Sequence, residues 1–370
     1  MMRSRSAVLR GTQDPFTIEP VELEEPRAGE VLVRIAGCGL CHTDEMARTG
    51  LLGETFLPAV LGHEGSGVVE RVGPDVTGVA AGDHVVLSFD SCGACPACRS
   101  ARPTLCAGFE LHNLAGRRSD GSGAATDASG APLTSRWFGQ SSFGEYAVAA
   151  ARSLVKVGPG LPLELLGPLG CGLQTGAGTV LNVLRPGPGQ SIAIFGAGAV
   201  GLSAVMAARA CGASDVVAVD LNPERRKLAL ELGATRVVDG AEPALAAAVK
   251  GDGPGLDFSF DSTAVAAVMV TAIEVLRRPG TAALVGAGLD LLTVHPAFLA
   301  GKTVTYVYEG GGLPQVFIPG LIDLWRRGAF PFDRLIRRYP LKQINEAEAD
   351  VRAGRTVKAV LIPGSQGAGS

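Results

Sequence analysis

No charge sign dominates this sequence: 36 acidic side chains nearly cancel 33 basic ones, for a formal net charge of −3. Neither sign gathers into a long block, which argues against nucleic acid or an anionic membrane as a partner. No secretory leader is expected either, because Arg3 and Arg5 near the start are followed by no long apolar run. No internal repeat is present. The one long uncharged run, Pro186 to Ala208, is broken by Pro188 and by Gly187, Gly189, Gly196, Gly198 and Gly201. It therefore reads as a buried strand, turn and helix and not as a membrane span. Eight cysteines in a chain without a leader point to metal and reduced thiols in place of disulfides, with the cytoplasm as the expected compartment.

At 370 residues the chain is long enough for two domains with separate cores. Its first part carries short β-rich runs bounded by Gly, Pro or Asp, such as Val31–Ile35, Gly65–Val69 and His84–Leu87. That spacing suits a mostly antiparallel, barrel-like domain, with Ser119 to Ser135 expected as a surface loop. From about Gln174 the texture alternates. Strands are expected at Ser191–Phe195, Val216–Val219, Arg236–Val238, Leu256–Phe260, Ala282–Val285 and Val304–Val307. Helices are expected at Val200–Ala210, at Pro223–Leu232 behind the N-cap Asn222, and at Ala264–Leu276. Six strands with intervening helices describe an α/β, doubly wound parallel sheet. An amphipathic helix near Leu321–Arg327 and a closing strand at Ala359–Ile362 follow. The expected domains are 1–175 with 308–370, and 176–307 inserted between them.

Three constellations carry chemistry. Ser191–Phe195 runs into Gly196-Ala-Gly198-Ala-Val200-Gly201, the strand–turn–helix form of a dinucleotide fingerprint. The helix start offers free N–H groups and positive partial charge to a pyrophosphate. Asp220 ends the next strand, where a carboxylate accepts from the ribose 2′-OH and repels a 2′-phosphate. NAD is thus favoured over NADP, with Arg225 as a counter-indication. Cys92, Cys95, Cys98 and Cys106 form a second cluster. Four thiolates on one short loop close a tetrahedral structural zinc; an iron–sulfur cluster or a disulfide pair uses the same ligands. Cys41, His63 and Cys171 form the third. Each alone reads as packing, but three such ligands converging on Zn²⁺ leave a fourth position open, the form of a catalytic site. Cys38 and Cys211 read as small apolar fillers.

Gly62-His-Glu-Gly-Ser-Gly-Val-Val-Glu70, Gly82-Asp-His-Val85, the four-cysteine loop and the fingerprint at Gly196 together resemble the zinc-dependent medium-chain alcohol dehydrogenases over nearly the whole length. Pro168–Leu181, Ser191–Ala208 and Phe138–Phe143 look like that family's benzyl (aryl) alcohol dehydrogenase branch. The resemblance implies a Rossmann sheet inserted in a GroES-like catalytic domain, with two zinc ions per subunit. By it, Cys41, His63 and Cys171 hold the catalytic zinc, Glu64 lies behind the metal, Asp44 orients His63, and Thr43 hydrogen-bonds the substrate oxygen. His42 and Lys358 would meet the cofactor pyrophosphate, and Thr175, Val200 and Val285 would line the nicotinamide. Leu52, Ser88, Leu111, Trp137 and Phe138 would surround the substrate, an aromatic or allylic primary alcohol. A homo-oligomer, dimer or tetramer, is the expected assembly.

Two rivals stay open. A thiol-dependent formaldehyde dehydrogenase of the same family needs basic residues for an anionic adduct, for which Arg117 and Arg118 are candidates. A non-catalytic nucleotide-binding scaffold is the other. One departure from the family pattern bears on mechanism. Many relatives place a proton-relaying histidine five residues after the first zinc cysteine, whereas Met46 stands here. Thr43 would then pass its proton to the cofactor ribose and directly on to solvent. Met46→His is expected to raise turnover or displace its pH profile in steady-state assays; an unchanged rate and profile would rule out this proton path.

Overall fold

The computed structural model describes residues 1–12, 14–50 and 56–364, so the expectation for Leu52 lies outside the described residues. Ten strands come first: β1 (Met2–Leu9), β2 (Thr17–Leu23), β3 (Glu30–Gly39), β4 (Ala59–Val60), β5 (Glu64–Val72), β6 (His84–Leu87), β7 (Ala125–Asp127), β8 (Pro132–Leu133), β9 (Tyr146–Ala150) and β10 (Leu154–Val157). Six follow in the middle: β11 (Ser191–Phe195), β12 (Asp215–Asp220), β13 (Arg236–Asp239), β14 (Leu256–Asp261), β15 (Leu276–Leu284) and β16 (Lys302–Tyr306). Two close the chain, β17 (Ile336–Pro340) and β18 (Lys358–Ile362).

Packing divides the molecule into two units. One comprises Met1–Cys171, Leu313–Pro319 and Leu335–Ser370; the other comprises Gly172–Gly312 and Gly320–Arg334. The first unit holds a five-stranded sheet, in order β4-β1-β2-β7-β8, and a nearly closed, barrel-like sheet in order β10-β6-β5-β3-β18-β17 with β9 also on β3. Strand β3 pairs with β5, β9 and β18, and Val31, Leu32, Val33, Ile35 and Cys38 are all buried along it. A strand enclosed this way reads as a continuous apolar run, not an alternating one. Two register shifts against β5, between Leu32 and Val33 and between Ile35 and Gly37, bend it into the barrel.

The segment expected as a plain loop, Ser119 to Ser135, contains the hairpin β7–β8, added to the edge of β2. Asp127 makes the turn: one carboxylate oxygen accepts from the Ser129 N–H, the Ser129 hydroxyl and the Ala131 N–H at 2.9, 2.6 and 3.1 Å. Side-chain turn chemistry of this kind leaves no hydrophobic period to read.

The second unit is a six-stranded parallel sheet in order β13-β12-β11-β14-β15-β16, the doubly wound arrangement. Helix Pro223–Leu232 begins as expected, with Asn222 Oδ1 accepting from the Glu224 and Arg225 N–H groups at 2.9 and 3.4 Å. Helix Gly172–Gly178 belongs to this unit and packs on helix Ala199–Ala210: the Ser203 hydroxyl donates to Leu173 O and accepts from the Ala177 N–H at 3.1 Å. Among the described residues no helix is long and apolar enough to cross a membrane.

Strand β11 delivers the glycine turn at the C-terminal edge of the sheet, where its neighbours β12 and β14 lie on opposite sides. A Cβ on Gly201 would stand 1.7 Å from Gly196 O, far inside contact distance. Gly201→Ala is expected to push the helix off the turn, destabilise the chain by about 1–3 kcal/mol and weaken dinucleotide binding. Chemical denaturation and a fluorescence titration of the cofactor check the two effects.

Candidate active site

Cys41, His63 and Cys171 come together in the first unit, with one ligand atom from each lying within 4.8 Å of the others. Each is placed by a different local device. Cys41 caps helix His42–Arg48; its N–H donates to Asp44 Oδ2 at 3.2 Å, and the Asp44 N–H donates back to Cys41 O at 3.1 Å. His63 follows Gly62 at φ +90°, where a Cβ would stand 2.4 Å from the Phe143 ring. Only glycine fits that approach in the left-handed region. Cys171 follows Gly170, whose carbonyl accepts the buried Ser88 hydroxyl at 2.7 Å.

His63 is 1 % exposed, and its Nδ1 lies 2.9 Å from Asp44 Oδ1. Its other nitrogen, Nε2, is buried and has no hydrogen-bond partner. A buried unsatisfied donor or acceptor is costly, and a cation at Nε2 removes that cost while Asp44 fixes the Nδ1–H tautomer. The Cys41 thiol is held well below its ordinary value, first by a hydrogen bond from Cys171 and then, against the effect of burial, by the charge of His63. Two sulfurs and an imidazole nitrogen in this arrangement fit a zinc ion.

Around these ligands lies a shell that sequence reasoning saw only in part. The indole N–H of Trp137 donates to Asp44 Oδ1 at 2.9 Å, and the Gly62 N–H donates to the same oxygen at 3.2 Å. Phe138 stacks on His63 with ring centroids 4.4 Å apart, from a backbone at φ +49° that bulky residues rarely adopt. Gln140, fully buried, donates through Nε2 to His63 O and Ser88 O at 3.0 and 3.2 Å, and accepts the Gly65 N–H at 3.1 Å. Nothing in its local sequence distinguishes it from a loop residue.

Glu64 is buried, and both its oxygens accept from Lys358 Nζ, at 3.0 and 2.9 Å. Burial pushes this carboxyl up to about 7, and the Lys358 charge opposes the shift. The third donor of Lys358 goes to Leu40 O at 2.9 Å. Expected at a pyrophosphate, this ammonium is instead 4 % exposed and fully engaged inside the barrel. His42 faces solvent, with Nδ1 3.5 Å from Glu45 Oε2. Thr43 is half-buried, and its hydroxyl lies 3.8 Å from Cys41 Sγ.

Of the residues expected around a substrate, Trp137 and Phe138 are 1 % and 5 % exposed and act here as packing and as partners of Asp44 and His63. Ser88 is buried under Gly170 and leaves no open space at its own position, whereas Leu111 is exposed.

Cys92, Cys95, Cys98 and Cys106 also converge within 4.8 Å. Their Sγ separations of 3.8 Å for Cys92–Cys98 and 3.5 Å for Cys95–Cys98 match the edges of a zinc–thiolate tetrahedron, about 3.8 Å for 2.3 Å bonds. All four are free thiols, so the disulfide alternative does not apply. Backbone N–H groups of Ala94 and Cys95 point at Cys92 Sγ, and those of Cys92 and Gly108 at Cys106 Sγ. The Cys98 and Ala107 N–H groups bring the Cys95 thiol down to about 6.

In the second unit, Gly196, Gly198, Val200 and Gly201 form the turn and helix start after β11. Space for a Cβ at Gly198 is open to 4 Å in every direction, which fits a cradle for a ligand at the N-terminus of a 12-residue helix. Asp220, at the tip of β12, accepts the Ala197 N–H on Oδ2 at 2.6 Å and the Asn222 N–H on Oδ1 at 2.8 Å. Arg225 is half-buried, and its Nε has no hydrogen-bond partner. Val285 donates its N–H to Asp261 O at 2.9 Å beside the same strand ends, and Thr175 is buried on helix Gly172–Gly178.

A three-ligand group and a four-thiolate group that could each hold a metal, beside a doubly wound nucleotide unit, point to a zinc-binding, nicotinamide-dependent dehydrogenase. Comparison agrees: residues 27–159 match the alcohol dehydrogenase GroES-like domain and residues 199–325 match the zinc-binding dehydrogenase domain. A geraniol dehydrogenase from Castellaniella defragrans is 48 % identical, with 97 % of each chain covered. An S-(hydroxymethyl)glutathione dehydrogenase from a Synechocystis species is 34 % identical over 97 % of this chain and 100 % of that one. The crystal structure of benzyl alcohol dehydrogenase from Acinetobacter calcoaceticus superimposes with a TM-score of 0.93 at 40 % identity, covering 98 % of this chain and 100 % of that one. The chain belongs to the zinc-dependent medium-chain alcohol dehydrogenase family.

Trp137→Phe keeps the ring packing and deletes one donor to Asp44. It is expected to lower zinc retention at Cys41, His63 and Cys171 by about 10-fold or more and to leave the four-cysteine site loaded. Zinc content after dialysis against a graded chelator series separates the two sites.

Proposed function

We propose that this enzyme oxidises a primary allylic or aromatic alcohol to its aldehyde, reversibly, with NAD as hydride acceptor. Two zinc ions per chain serve it, one catalytic at Cys41, His63 and Cys171 and one structural at the four-cysteine loop. The observation that carries this reading is the orphaned His63 Nε2, buried beside two thiols, with Asp44 already fixing the opposite ring nitrogen. When bound, the zinc supplies Lewis acidity to an alcohol oxygen and the nicotinamide supplies the acceptor for hydride.

The chain's own residues do the rest. Thr43, two residues beyond Cys41, holds the substrate hydroxyl and takes its proton. Met46, one turn further on, has no group to receive that proton, so it passes from Thr43 towards solvent. Asp44 holds the His63 ring in one orientation, and the Glu64–Lys358 pair keeps a carboxylate and an ammonium together beneath the metal ligands. Asp220 supports NAD: two backbone N–H groups hold its carboxylate in one position, and a fixed negative charge there opposes a 2′-phosphate.

Substrate class rests on the relatives. Geraniol and benzyl alcohol both carry unsaturation on the carbon next to the carbinol, so their aldehydes are conjugated. The same reading makes the protein a cytoplasmic homo-oligomer, dimer or tetramer, acting on small molecules.

The thiol-adduct reading is supported by the S-(hydroxymethyl)glutathione dehydrogenase relative. Against it, Arg118 is locked onto Glu30 at 2.7 and 3.0 Å and onto Glu24 at 3.0 Å, which leaves only Arg117 exposed of the two expected arginines.

A panel of geraniol, benzyl alcohol, ethanol and formaldehyde with glutathione, each with NAD and with NADP, tests the proposal by NADH or NADPH absorbance. The unsaturated alcohols with NAD are expected to give the highest kcat/KM. Highest efficiency with formaldehyde and glutathione would replace this reading by the thiol-dependent one. No turnover of any alcohol by zinc-loaded protein would leave the scaffold.

A further inference from the structure

In the first unit, a cleft of about 220 Å³ is lined by Arg27, Arg117, Arg118, Arg136 and Arg152, with His112, Glu30, Asp90 and Asp120. Five guanidinium groups face three carboxylates in the lining, and Glu24, outside the lining, also engages Arg27 and Arg118, so positive charge exceeds negative by one with His112 neutral.

The ion pairs inside it are unevenly shared. Arg152 binds both oxygens of Asp90, at 2.7 and 2.9 Å. Arg27 is taken by Glu24 at 2.9 Å and Asp120 at 3.2 Å, and Arg118 by Glu30 and Glu24. Arg136 differs. It is 6 % exposed, and among the described residues its side chain makes a single hydrogen bond, from Nη1 to Val148 O at 2.9 Å. Its nearest carboxylate oxygen, Glu30 Oε1 at 3.5 Å, already accepts from Arg118, and the other Glu30 oxygen accepts from Arg118 and from the Arg27 N–H. Burial is the largest cost to the Arg136 charge; the carboxylates of Glu30 and Asp90 favour it, and the flanking Arg118 and Arg152 oppose it.

A guanidinium cannot shed its proton to escape such a place, and buried charges are ordinarily paired. Its planar fork suits an oxyanion bound by two N–H groups at once. We infer that this cleft is a binding site for a small doubly charged oxyanion, held by Arg136 at its base and reached past the exposed Arg117 at its rim.

The site stands apart from the alcohol chemistry, but it borders it in sequence. Arg136 precedes Trp137, the donor to Asp44, and an added Cβ on Gly139 would touch the Asp90 side chain at 2.9 Å.

Calorimetric titration of the full chain with inorganic phosphate and with malonate, each against chloride at matched ionic strength, tests the inference. At least one dianion is expected to bind and to raise the melting temperature; phosphate alone or malonate alone assigns the tetrahedral or the dicarboxylate class. Arg136→Met is expected to abolish both effects with the fold intact, since Glu30 keeps its hydrogen bonds from Arg118 when the longer 3.5 Å contact to Arg136 is lost. Arg117→Ala is expected to weaken binding by about tenfold or more with the fold intact, which serves as the second variant should Arg136→Met not fold. No binding of either dianion, or identical binding in the wild type and the variants, would overturn the assignment.

Discussion

One carboxylate organises the candidate metal centre. Asp44 takes hydrogen bonds from the His63 ring, the Trp137 indole and the backbone N–H groups of Gly62 and Cys41, so four donors from three separate stretches of chain end on two oxygens. Each donor is the neighbour of a candidate metal ligand, or the ligand itself. With the acceptor removed, four buried or half-buried donors lose their partners together, each at a cost of about 1–3 kcal/mol. The loss would scatter the ligands' orientation as well as their energy. Charge-assisted hydrogen bonds of this kind are also short-ranged and directional, which is how a helix start and a glycine turn come to present sulfur and nitrogen to a single point.

Beneath that layer sits a second one of a different character. Glu64 and Lys358 form a fully enclosed ion pair, with both oxygens and all three ammonium donors engaged. Such pairs gain little net stability over apolar packing, yet they are costly to break singly. The pair ties β5 to β18, strands that do not pair directly in the barrel sheet. Gln140 plays the neutral counterpart, joining the backbones at His63 and Ser88. Among the described residues of this unit, His63 Nε2 and His84 Nδ1 are the buried side-chain atoms left without a hydrogen-bond partner.

Most of the architecture was legible because its signals are local. Strand β11, the glycine turn and the helix behind Asn222 announce themselves within a few residues each, and the four-cysteine loop needs only spacing. Cys41, His63 and Cys171 were singled out through motif likeness, and the fold brings them together. What escaped was long-range. Asp44 and Trp137 are 93 residues apart, and Glu64 and Lys358 are 294 apart. Trp137 was read as a wall for a substrate ring, because sequence shows an indole's bulk and not the direction of its N–H. Lys358 was placed at a phosphate by analogy with arginine, although the shorter ammonium finds a carboxylate first. The hairpin in the glycine-rich stretch hid for another reason: it is made by one aspartate's turn, without any hydrophobic repeat.

The division of the chain falls directly after Cys171, so all three ligands of the open metal site lie on one side of it, and the glycine turn with Asp220 lies on the other. The candidate metal ligands and the candidate dinucleotide-binding residues therefore lie in separable stretches of polypeptide. An exchange of the segment beginning at Gly172 would leave Cys41, His63 and Cys171 in place together.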